Sequence, residues 1–324
     1  MHKVAVVGAS GYAGVELIRI LLKHPEVEIG FLGGNTQAGN SISTVYPHLN
    51  KIMSENFSST SETEKWKDCS LIFTALPHGE SEKVVPIFLK EGKKVIDLSS
   101  DYRLNERAVY GLPEWGLRSR IVESDLIANP GCYPTACLLS VRPLMNEDFI
   151  DKERMIFDCK SGVSGAGRSA NIGSLFCEVA ESIHPYGLLG VHRHQKEIEK
   201  QITVPVQFTP HLLPMKRGIL ATAYIPLKSE VSAQHIWNLY KEYYEQESFV
   251  RVLDLGSWPK TASVNGSNFC DIGLGVDVRT KNLIVVSAID NLVKGAAGQA
   301  VQNMNIMMRF PETLSLTELH PLFP

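Results

Sequence analysis

The sequence lacks several features that would point to particular classes of protein. It has no block of like charges, and its formal net charge is −3 over 324 residues, so nucleic acid and anionic membranes are not expected as main partners. No apolar run approaches the roughly 20 residues of a membrane-spanning helix. The opening segment MHKVAVVGAS has no apolar stretch followed by a cleavage site, so no export signal is predicted. We therefore expect a cytoplasmic protein of about two domains.

Cysteines are few and dispersed. The six cysteines lie at positions 69, 132, 137, 159, 177 and 270, and none forms a CxxC pair. Neither a zinc site nor a thioredoxin-like motif is therefore predicted, and no metal is expected. Because no export signal is predicted, a disulfide framework is not expected either. Most of these cysteines are predicted to be small buried hydrophobes, whereas Cys132 alone lies in a turn.

Strands and helices alternate in the first part of the chain. Strand-like runs are KVAVVG, VEIGFLGG, SLIFTALPHG, KKVIDLSS and DLIANPG, with helix-like runs VELIRILLKHP and SEKVVPIFLKEG among them. This alternation predicts an α/β fold, a parallel sheet with helices on both faces. Residues 1 to about 150 therefore form a predicted doubly wound, Rossmann-type nucleotide-binding domain.

The pattern changes after about residue 150. Strand-like runs come closer together, and helix-like runs follow at IGSLFCEVAESI and SAQHIWNLYKEYYEQE. This favours an α+β domain with a mixed or antiparallel sheet over residues 151–291. The final run, VKGAAGQAVQNMNIMMRF, predicts a helix within about residues 292–324 that completes the first domain.

A glycine-rich loop follows the first predicted strand. Gly8, Gly11 and Gly14 lie between that strand and the first helix, where glycines permit a tight turn and bring backbone N–H groups close to a pyrophosphate. The usual G-x-G-x-x-G positions are occupied by Gly8, Ser10 and Ala13, so the match is imperfect although its context is right. The alternative is a structural turn in another kind of α/β protein.

The segment NPGCYPT places a cysteine in a turn between a strand and a helix. A proline such as Pro134 is tolerated only in the first turn of a helix, so Cys132 is predicted at or just before a helix N-terminus. The helix dipole favours a thiolate there. Cys132 also follows the carboxyl end of a strand, where open α/β sheets bind ligands, and a thiolate beside a nicotinamide indicates covalent catalysis on an acyl group. The alternative is a cysteine kept for packing.

Two histidines in GVHRHQKEIEKQI are candidates for a proton-transfer group. His192 and His194 alternate in an extended segment that enters a helix, with Glu197 downstream. Either ring can exchange a proton with a reacting oxygen, and surface or helix-capping roles are the alternative. We expect one of the two histidines to act with Cys132, and the residues do not rank them firmly.

Eight blocks together resemble the N-acetyl-gamma-glutamyl-phosphate reductases of arginine biosynthesis. The blocks run in order along nearly the whole chain: GASGYAGVEL, DLSSDYRL, YGLPE, NPGCYPT, SGVSGAGR, GVHRHQKEI, FTPHLLPMKRGI and DNLVKGAAGQAVQNMN. The resemblance implies a Rossmann domain joined to a glyceraldehyde-3-phosphate-dehydrogenase-like domain. It also implies a homotetramer, NADPH as hydride donor, and reduction of the acyl phosphate to N-acetylglutamate semialdehyde through a thioester on Cys132.

The resemblance also implies roles for residues in these blocks. His192 is the preferred acid, and His194 is the second candidate. Contacts with NADP are expected from Gly8, Ser10, Gly11, Tyr12, Ala13, Ala75, Pro77, Ser164, Gly165 and Asn291. Contacts with the substrate's phosphate and carboxylate are expected from Arg103, Arg168 and Arg217, with Ser161. Guanidinium groups suit these anions, although each arginine has a surface ion pair as its alternative.

The sequence departs from the family pattern at two places. The second strand of the family often ends in a Ser-Arg pair that meets the 2′-phosphate of NADP, whereas this chain has FLGGNTQAGNS with no arginine. Lys196 replaces a proline that is frequent in the family, and little consequence is expected. The strength of 2′-phosphate recognition is therefore the open question.

Other functions fit parts of the pattern. An aspartate-semialdehyde-type dehydrogenase shares the architecture and the thioester chemistry and differs in its substrate. A cysteine acyltransferase or hydrolase would use Cys132 without needing the glycine loop. A nucleotide-sensing regulator would use the fold for binding alone and would show no turnover.

Overall fold

The chain divides into two compact units. The structure, a computed structural model, describes residues 1–169 and 172–321. The first unit comprises residues 1–130 and 296–318, and the second comprises the described residues of 131–295 together with 319–321. The helix that begins at Cys132 thus belongs to the second unit, whereas the sequence analysis placed it in the first domain.

The first unit contains a parallel six-stranded sheet. Its strands are β1 (His2–Val7), β2 (Val27–Gly33), β3 (Leu71–Thr74), β4 (Lys94–Asp97), β5 (Val109–Tyr110) and β6 (Leu126–Ala128). Its α-helices within residues 1–130 are α1 (Tyr12–Leu21), α2 (Ile42–Val45), α3 (Thr63–Trp66), α4 (Ser81–Lys90) and α5 (Arg118–Glu123). The strand order is β2-β1-β3-β4-β6-β5, which confirms the predicted doubly wound α/β fold.

The carboxyl ends of the first three strands are aligned. Val7, the last residue of β1, pairs with Gly33 at the end of β2 and with Thr74 at the end of β3. Open parallel sheets bind ligands at this edge. The glycine loop, the start of the turn after β2 and Ala75 therefore all lie at the ligand-binding edge of the sheet.

The second unit contains a mixed seven-stranded sheet. Its strands are β7 (Ile156–Gly162), β8 (His184–Pro185), β9 (Gln207–Leu213), β10 (Ile219–Pro226), β11 (Val250–Val252), β12 (Cys270–Asp277) and β13 (Asn282–Ile289). Its α-helices are α6 (Cys132–Val141), α7 (Phe176–Val179), α8 (Arg193–Ile202) and α9 (Ala233–Tyr244). The order β11-β12-β13-β10-β7-β9-β8 combines parallel and antiparallel pairs, and so confirms the predicted α+β domain with a mixed sheet.

Helix α6 lies in the core of the second unit. Residues Tyr133 to Val141 are all buried, because the helix packs on the sheet strands β10 and β13 and on α8. Ser287 on β13 donates a 2.9 Å hydrogen bond from Oγ to the carbonyl oxygen of Ala136. A helix that is apolar all round is buried on all sides, and this burial fixes the position of its first residue, Cys132.

Short segments complete the two units. The 3-10 segments are Asn35–Gln37, Pro47–Leu49, Pro113–Trp115, Arg142–Leu144, Lys152–Arg154, Val163–Ala166, Ile172–Ser174 and Thr261–Ser263, and a π-helical turn spans Val293–Ala297. The last helix, α10 (Gly298–Met307), returns to the first unit. Within the described ranges, no helix is both long and apolar enough to cross a membrane.

Two predicted helices are shorter than expected. The helix predicted within about residues 292–324 ends at Met307, because Arg309 has a positive φ of 61° and Pro311 follows. Residues 322–324 of that prediction lie outside the described residues. The run IGSLFCEVAESI forms only a 3-10 turn and the single turn α7, and Glu181 has a positive φ of 56°. Its cysteine, Cys177, is exposed rather than buried.

Candidate active site

Cys132 is the first residue of α6, as predicted. Gly131 caps the helix in an extended conformation, with φ −68° and ψ 154°. Thr135 donates to the carbonyl oxygen of Gly131 from both its backbone nitrogen and its Oγ1, each at 2.9 Å. The thiol thus lies where backbone N–H groups and the helix dipole favour negative charge.

A buried carboxylate holds the turn before Cys132. Glu197 on α8 is only 2 % exposed, and its Oε1 accepts a 2.8 Å hydrogen bond from the backbone N–H of Gly131. Hydrogen bonds to a charged acceptor are stronger than those between neutral groups. The sequence places these residues 66 positions apart, so only the fold brings Glu197 to the turn.

A glycine backs directly against the cysteine. A Cβ built on Gly295 would lie 2.8 Å from the Cβ of Cys132, closer than real Cβ contacts come. Gly295 is part of the π-helical turn Val293–Ala297, and such turns are frequent at functional sites. Only glycine therefore fits behind the cysteine, and this role was missed in the sequence, where Gly295 is one small residue among several.

His192 caps the helix that carries His194 and Glu197. Its Nδ1 accepts a 3.1 Å hydrogen bond from the backbone N–H of His194 at the start of α8. Burial, reinforced by the charge of Arg193, lowers the pKa of His192 to about 4. The ring is therefore neutral at pH 7, and because Nδ1 accepts, its proton is carried by Nε2.

Tyr133 connects the cysteine turn with both histidines. Its ring centroid lies 6.0 Å from that of His192 and 6.0 Å from that of His194, with edge-on geometry in both pairs. Its hydroxyl donates a 3.0 Å hydrogen bond to the carbonyl oxygen of His211. Burial raises the pKa of Tyr133 far above its ordinary value, so this hydroxyl stays protonated. The residue next to Cys132 thus contacts both predicted histidines.

Asn291 organises a second polar group in the same unit. Its Oδ1 accepts a 2.8 Å hydrogen bond from the backbone N–H of Gly218, and its Nδ2 donates to Oγ of Ser164 at 2.9 Å. A Cβ on Gly165 would lie 3.0 Å from Oγ of Ser161. Four of the predicted site residues, Ser161, Ser164, Gly165 and Asn291, are therefore brought together.

The three predicted arginines have different surroundings. Arg217 lies beside Gly218, and its Nη1 is 3.3 Å from Oδ2 of the buried Asp290. Arg168 is exposed on the segment after the 3-10 turn Val163–Ala166. Arg103 belongs to the first unit and is buried, donating from Nε to the carbonyl oxygen of Asn129 at 2.9 Å. Arg217 and Arg168 thus belong to the unit that carries Cys132, whereas Arg103 supports the chain just before Cys132.

The glycine loop of the first unit fits a dinucleotide pyrophosphate. Gly8 has a positive φ of 84°, and a Cβ there would lie 2.2 Å from the carbonyl oxygen of Ala75. A Cβ on Gly14, in the first turn of α1, would lie 2.4 Å from the carbonyl oxygen of Gly8, so both glycines are required by the close packing of the loop against its neighbours. Gly11 precedes α1 and has no side chain to cover the N–H groups of Tyr12 and Ala13. This uncovered helix start is a suitable cradle for the pyrophosphate of a nicotinamide dinucleotide.

The end of β2 carries neutral polar residues. The strand ends at Gly33, and the next segment is the 3-10 turn Asn35–Gln37, in which Asn35 and Thr36 are exposed. Oδ1 of Asn35 accepts a 2.9 Å hydrogen bond from the backbone N–H of Thr60. The residues that directly follow the strand, 34–37, therefore include no carboxylate of the kind that favours NAD.

Both units match family models of one kind. Residues 3–123 match the semialdehyde dehydrogenase NAD binding domain, and residues 132–291 match the semialdehyde dehydrogenase dimerisation domain. The chain thus carries a nicotinamide-dinucleotide-binding domain and a dimerisation domain.

Relatives that match this chain over its full length are about half identical to it in sequence. The N-acetyl-gamma-glutamyl-phosphate reductase of Geobacter metallireducens is 50 % identical, with 100 % of both chains covered. That of Symbiobacterium thermophilum is 45 % identical, with 99 % of both covered. Among solved structures, aspartate semialdehyde dehydrogenase II of Vibrio cholerae matches with a TM-score of 0.77 at 18 % identity, over 95 % of this chain and 98 % of that one. This last likeness concerns the fold.

The depressed pKa of His192 predicts a pH-dependent stability. The folded ring titrates at about 4 and the ordinary value is 6.5, so the unfolded chain binds the proton more strongly. The free energy of unfolding should therefore decrease as the pH falls from about 6.5 towards 4. His192→Asn keeps a capping side chain and removes the titration, so its decrease should be smaller. Urea denaturation at pH 7 and pH 5 measures this, with the exposed His235→Asn as control. Equal decreases in the wild type and His192→Asn would contradict it.

Proposed function

The chain belongs to the N-acetyl-gamma-glutamyl-phosphate reductase family, and from this we propose that it reduces N-acetyl-gamma-glutamyl phosphate to N-acetylglutamate 5-semialdehyde and phosphate, with NADPH, in arginine biosynthesis. The full-length identity with the reductases carries the proposal. The position of Cys132 at the start of α6 supports it, because reduction of an acyl phosphate is easier when acyl transfer and hydride transfer are separate steps.

The Cys132 thiolate attacks the acyl carbon in the first step. A carbon–sulfur bond forms, the carbon–oxygen bond to the phosphoryl group breaks, and inorganic phosphate leaves, so that a thioester remains on Cys132. A nicotinamide dinucleotide held by the glycine loop would supply the hydride that converts the thioester on Cys132 to a thiohemiacetal. When the resulting thiohemiacetal collapses, its oxygen forms the aldehyde and the thiolate of Cys132 is restored. The carboxylate of Glu197 accepts a hydrogen bond from the backbone N–H of Gly131. It thereby fixes the turn before Cys132 and keeps the sulfur at the helix start during these steps.

His192 interacts with the reacting oxygen. Its neutral ring carries the proton on Nε2, because Nδ1 accepts from the backbone of His194. Such a ring donates a hydrogen bond to an oxygen on which negative charge develops, and it exchanges the proton when the thiohemiacetal forms and collapses. His194 is buried on the same helix and acts through the position of the His192 ring, 4.7 Å away between centroids.

Cationic groups hold the substrate's anions. Arg217 and Arg168 lie in the unit that carries Cys132, and a guanidinium matches a phosphate or carboxylate with two parallel hydrogen bonds. Ser161 contributes a hydroxyl. The proposed cofactor contacts of the second unit are Ser164, Gly165 and Asn291, and those of the first unit are the glycine loop, Ala75 and Pro77.

The assembly is a cytoplasmic homotetramer. The dimerisation domain over residues 132–291 supports self-association. The six free cysteines are consistent with a reducing compartment. Sedimentation at micromolar concentration decides the number of subunits.

Phosphate-dependent reduction of NADP⁺ by N-acetylglutamate semialdehyde tests the function directly. The reaction is followed at the absorbance of NADPH, and omission of phosphate should abolish it, because phosphate is the group that releases the thioester. Aspartate semialdehyde serves as the competing substrate. Greater turnover with aspartate semialdehyde, or turnover that is independent of phosphate, would overturn the proposal.

Cys132→Ser should abolish turnover and leave the fold and cofactor binding intact, because a serine hydroxyl is far less acidic than a thiol. Iodoacetamide should inactivate the wild type in proportion to the labelling of Cys132, read by mass spectrometry. The matched control is Cys177→Ser, which removes an exposed cysteine and should retain activity. Inactivation without labelling of Cys132 would show that the nucleophile is another residue.

His192→Asn should lower kcat by roughly 10²–10⁴-fold, the usual contribution of general acid–base catalysis. Asparagine can still accept the hydrogen bond that caps α8, so circular dichroism should be unchanged. His194→Asn should act more weakly, through ring position. Steady-state kinetics of both variants give the ranking, and a larger loss at His194 would reverse it.

NADPH should be preferred over NADH, by a smaller margin than in relatives that carry an arginine after the second strand. The residues directly after β2 include no carboxylate to repel the 2′-phosphate, whereas Asn35, Thr36 and Gln37 can donate or accept hydrogen bonds. Thr36→Arg should widen the margin, chiefly through KM. Equal kcat/KM values for the two cofactors, or a preference for NADH, would contradict this expectation.

A further inference from the structure

A lysine distant in sequence is held beside the end of β2. Ser58 lies along this edge strand, since its backbone N–H donates to the carbonyl oxygen of Leu32 at 2.9 Å and its carbonyl oxygen accepts from the N–H of Gly34 at 3.0 Å. Nζ of Lys65 donates a 3.0 Å hydrogen bond to Oγ of Ser58. The ammonium group is thereby tied to the residue that pairs with the carboxyl end of β2.

The short helix that carries Lys65 is fixed by its neighbour. The side chain of Trp66 is 1 % exposed, its ring packs edge-on against Phe88 with centroids 4.9 Å apart, and its Nε1 donates a 3.0 Å hydrogen bond to the carbonyl oxygen of Thr60. Thr60 in turn donates to Asn35, in the turn that follows β2. Through its two hydrogen bonds, Thr60 therefore links the helix that carries Lys65 to the turn that follows β2.

The ammonium group of Lys65 forms an ion pair near the surface. Oε2 of Glu62 lies 2.6 Å from Nζ of Lys65, and the two side chains are 41 % and 55 % exposed. Oε1 of Glu62 accepts from the backbone N–H of Ser59. Lys67, the residue that follows this helix, pairs with Glu64 at 3.9 Å. Exposed ion pairs contribute little free energy, so a phosphate monoester, with nearly two negative charges at pH 7, can compete with Glu62 for Lys65.

We propose that Lys65, held by Ser58, is the cation of a subsite for the ribose 2′-phosphate at the end of β2. The proposal rests on the proposed NADPH-dependent function, because only NADP carries that phosphate. The ribose of a dinucleotide on this fold is bound at the end of the second strand. Lysine binds phosphate as a point charge without the two-pronged geometry of arginine. Lys65 thus supplies, from a later segment, the positive charge missing from the residues directly after β2.

Calorimetric titration with 2′,5′-ADP and with 5′-AMP tests the subsite without turnover. Both fragments contain adenosine 5′-phosphate esters, and 2′,5′-ADP adds the 2′-phosphate. Lys65→Met should lower the affinity for 2′,5′-ADP by roughly 10-fold or more, the scale of one charged hydrogen bond. The affinity for 5′-AMP should change by less than about 2-fold. The matched control, Lys67→Met, should change neither. Glu62→Gln should tighten 2′,5′-ADP, because the competing carboxylate is removed.

The outcomes separate the subsite from the function on which it rests. If wild type binds the two fragments equally, both the preference for NADP and the subsite are wrong. If wild type prefers 2′,5′-ADP and Lys65→Met keeps that preference, the cofactor assignment stands and Lys65 is excluded. Equal weakening of both fragments in Lys65→Met would assign the lysine a purely structural role. Only selective loss of 2′,5′-ADP affinity, accompanied by a weaker dependence of binding on salt, supports the subsite.

Discussion

The close packing of Gly295 against Cys132 is the constraint on which the candidate active site depends. No side chain fits between the π-helical turn and the first residue of α6. The backbone of the turn before Cys132 is fixed in addition by the hydrogen bond from Gly131 to Glu197. Residues Tyr133 to Val141 of α6 are buried. The backbone of Cys132 therefore cannot shift unless the whole helix moves. For Cys132 as the proposed nucleophile, a fixed backbone lowers the entropic cost of reaching the reactive geometry.

The first unit shows a similar use of backbone contacts. Asn129, two residues before Gly131, accepts at its carbonyl oxygen from Arg103 and at its Oδ1 from Asn303 on α10, at 2.9 and 3.0 Å. Gly8 and Gly14 are required because backbone atoms occupy the space a Cβ would take. Glycines in a loop of this kind therefore indicate first that the strand and helix pack closely. At Gly11 the nearest atom is 3.5 Å from a Cβ, so packing does not require glycine there, and its proposed role is to leave the helix start open for a pyrophosphate.

The sequence was most informative where the pattern is local. The alternation of strands and helices, the mixed sheet of the second unit and the position of Cys132 were predicted, because each follows from periodicity, glycine and proline within a short window. The prediction of one continuous helix over IGSLFCEVAESI was wrong. Its apolar residues Ile172 and Phe176 are exposed, so they do not form a buried face that would stabilise a helix. Glu197 and Gly295 could not be assigned, because their partners lie 66 and more than 160 residues away. The roles of the other site residues stay predictions.

The same distinction between local and distant contacts applies to cofactor selection. In the sequence, the first acidic residue after β2 is Glu55, so the residues directly after the strand carry no negative charge. In the fold, Ser58 pairs with the strand end and brings both Lys65 and Glu62 towards it. A carboxylate and an ammonium group are therefore both present, and their mutual ion pair balances the charge. Selectivity then depends on which member turns to the ribose: the carboxylate favours a free 2′-hydroxyl, whereas the ammonium group favours a 2′-phosphate. The hydrogen bond from Lys65 to Ser58 fixes the ammonium group at the strand. Glu62 instead accepts a hydrogen bond from the backbone of Ser59 in the adjoining loop. This arrangement favours binding of a 2′-phosphate over a free 2′-hydroxyl.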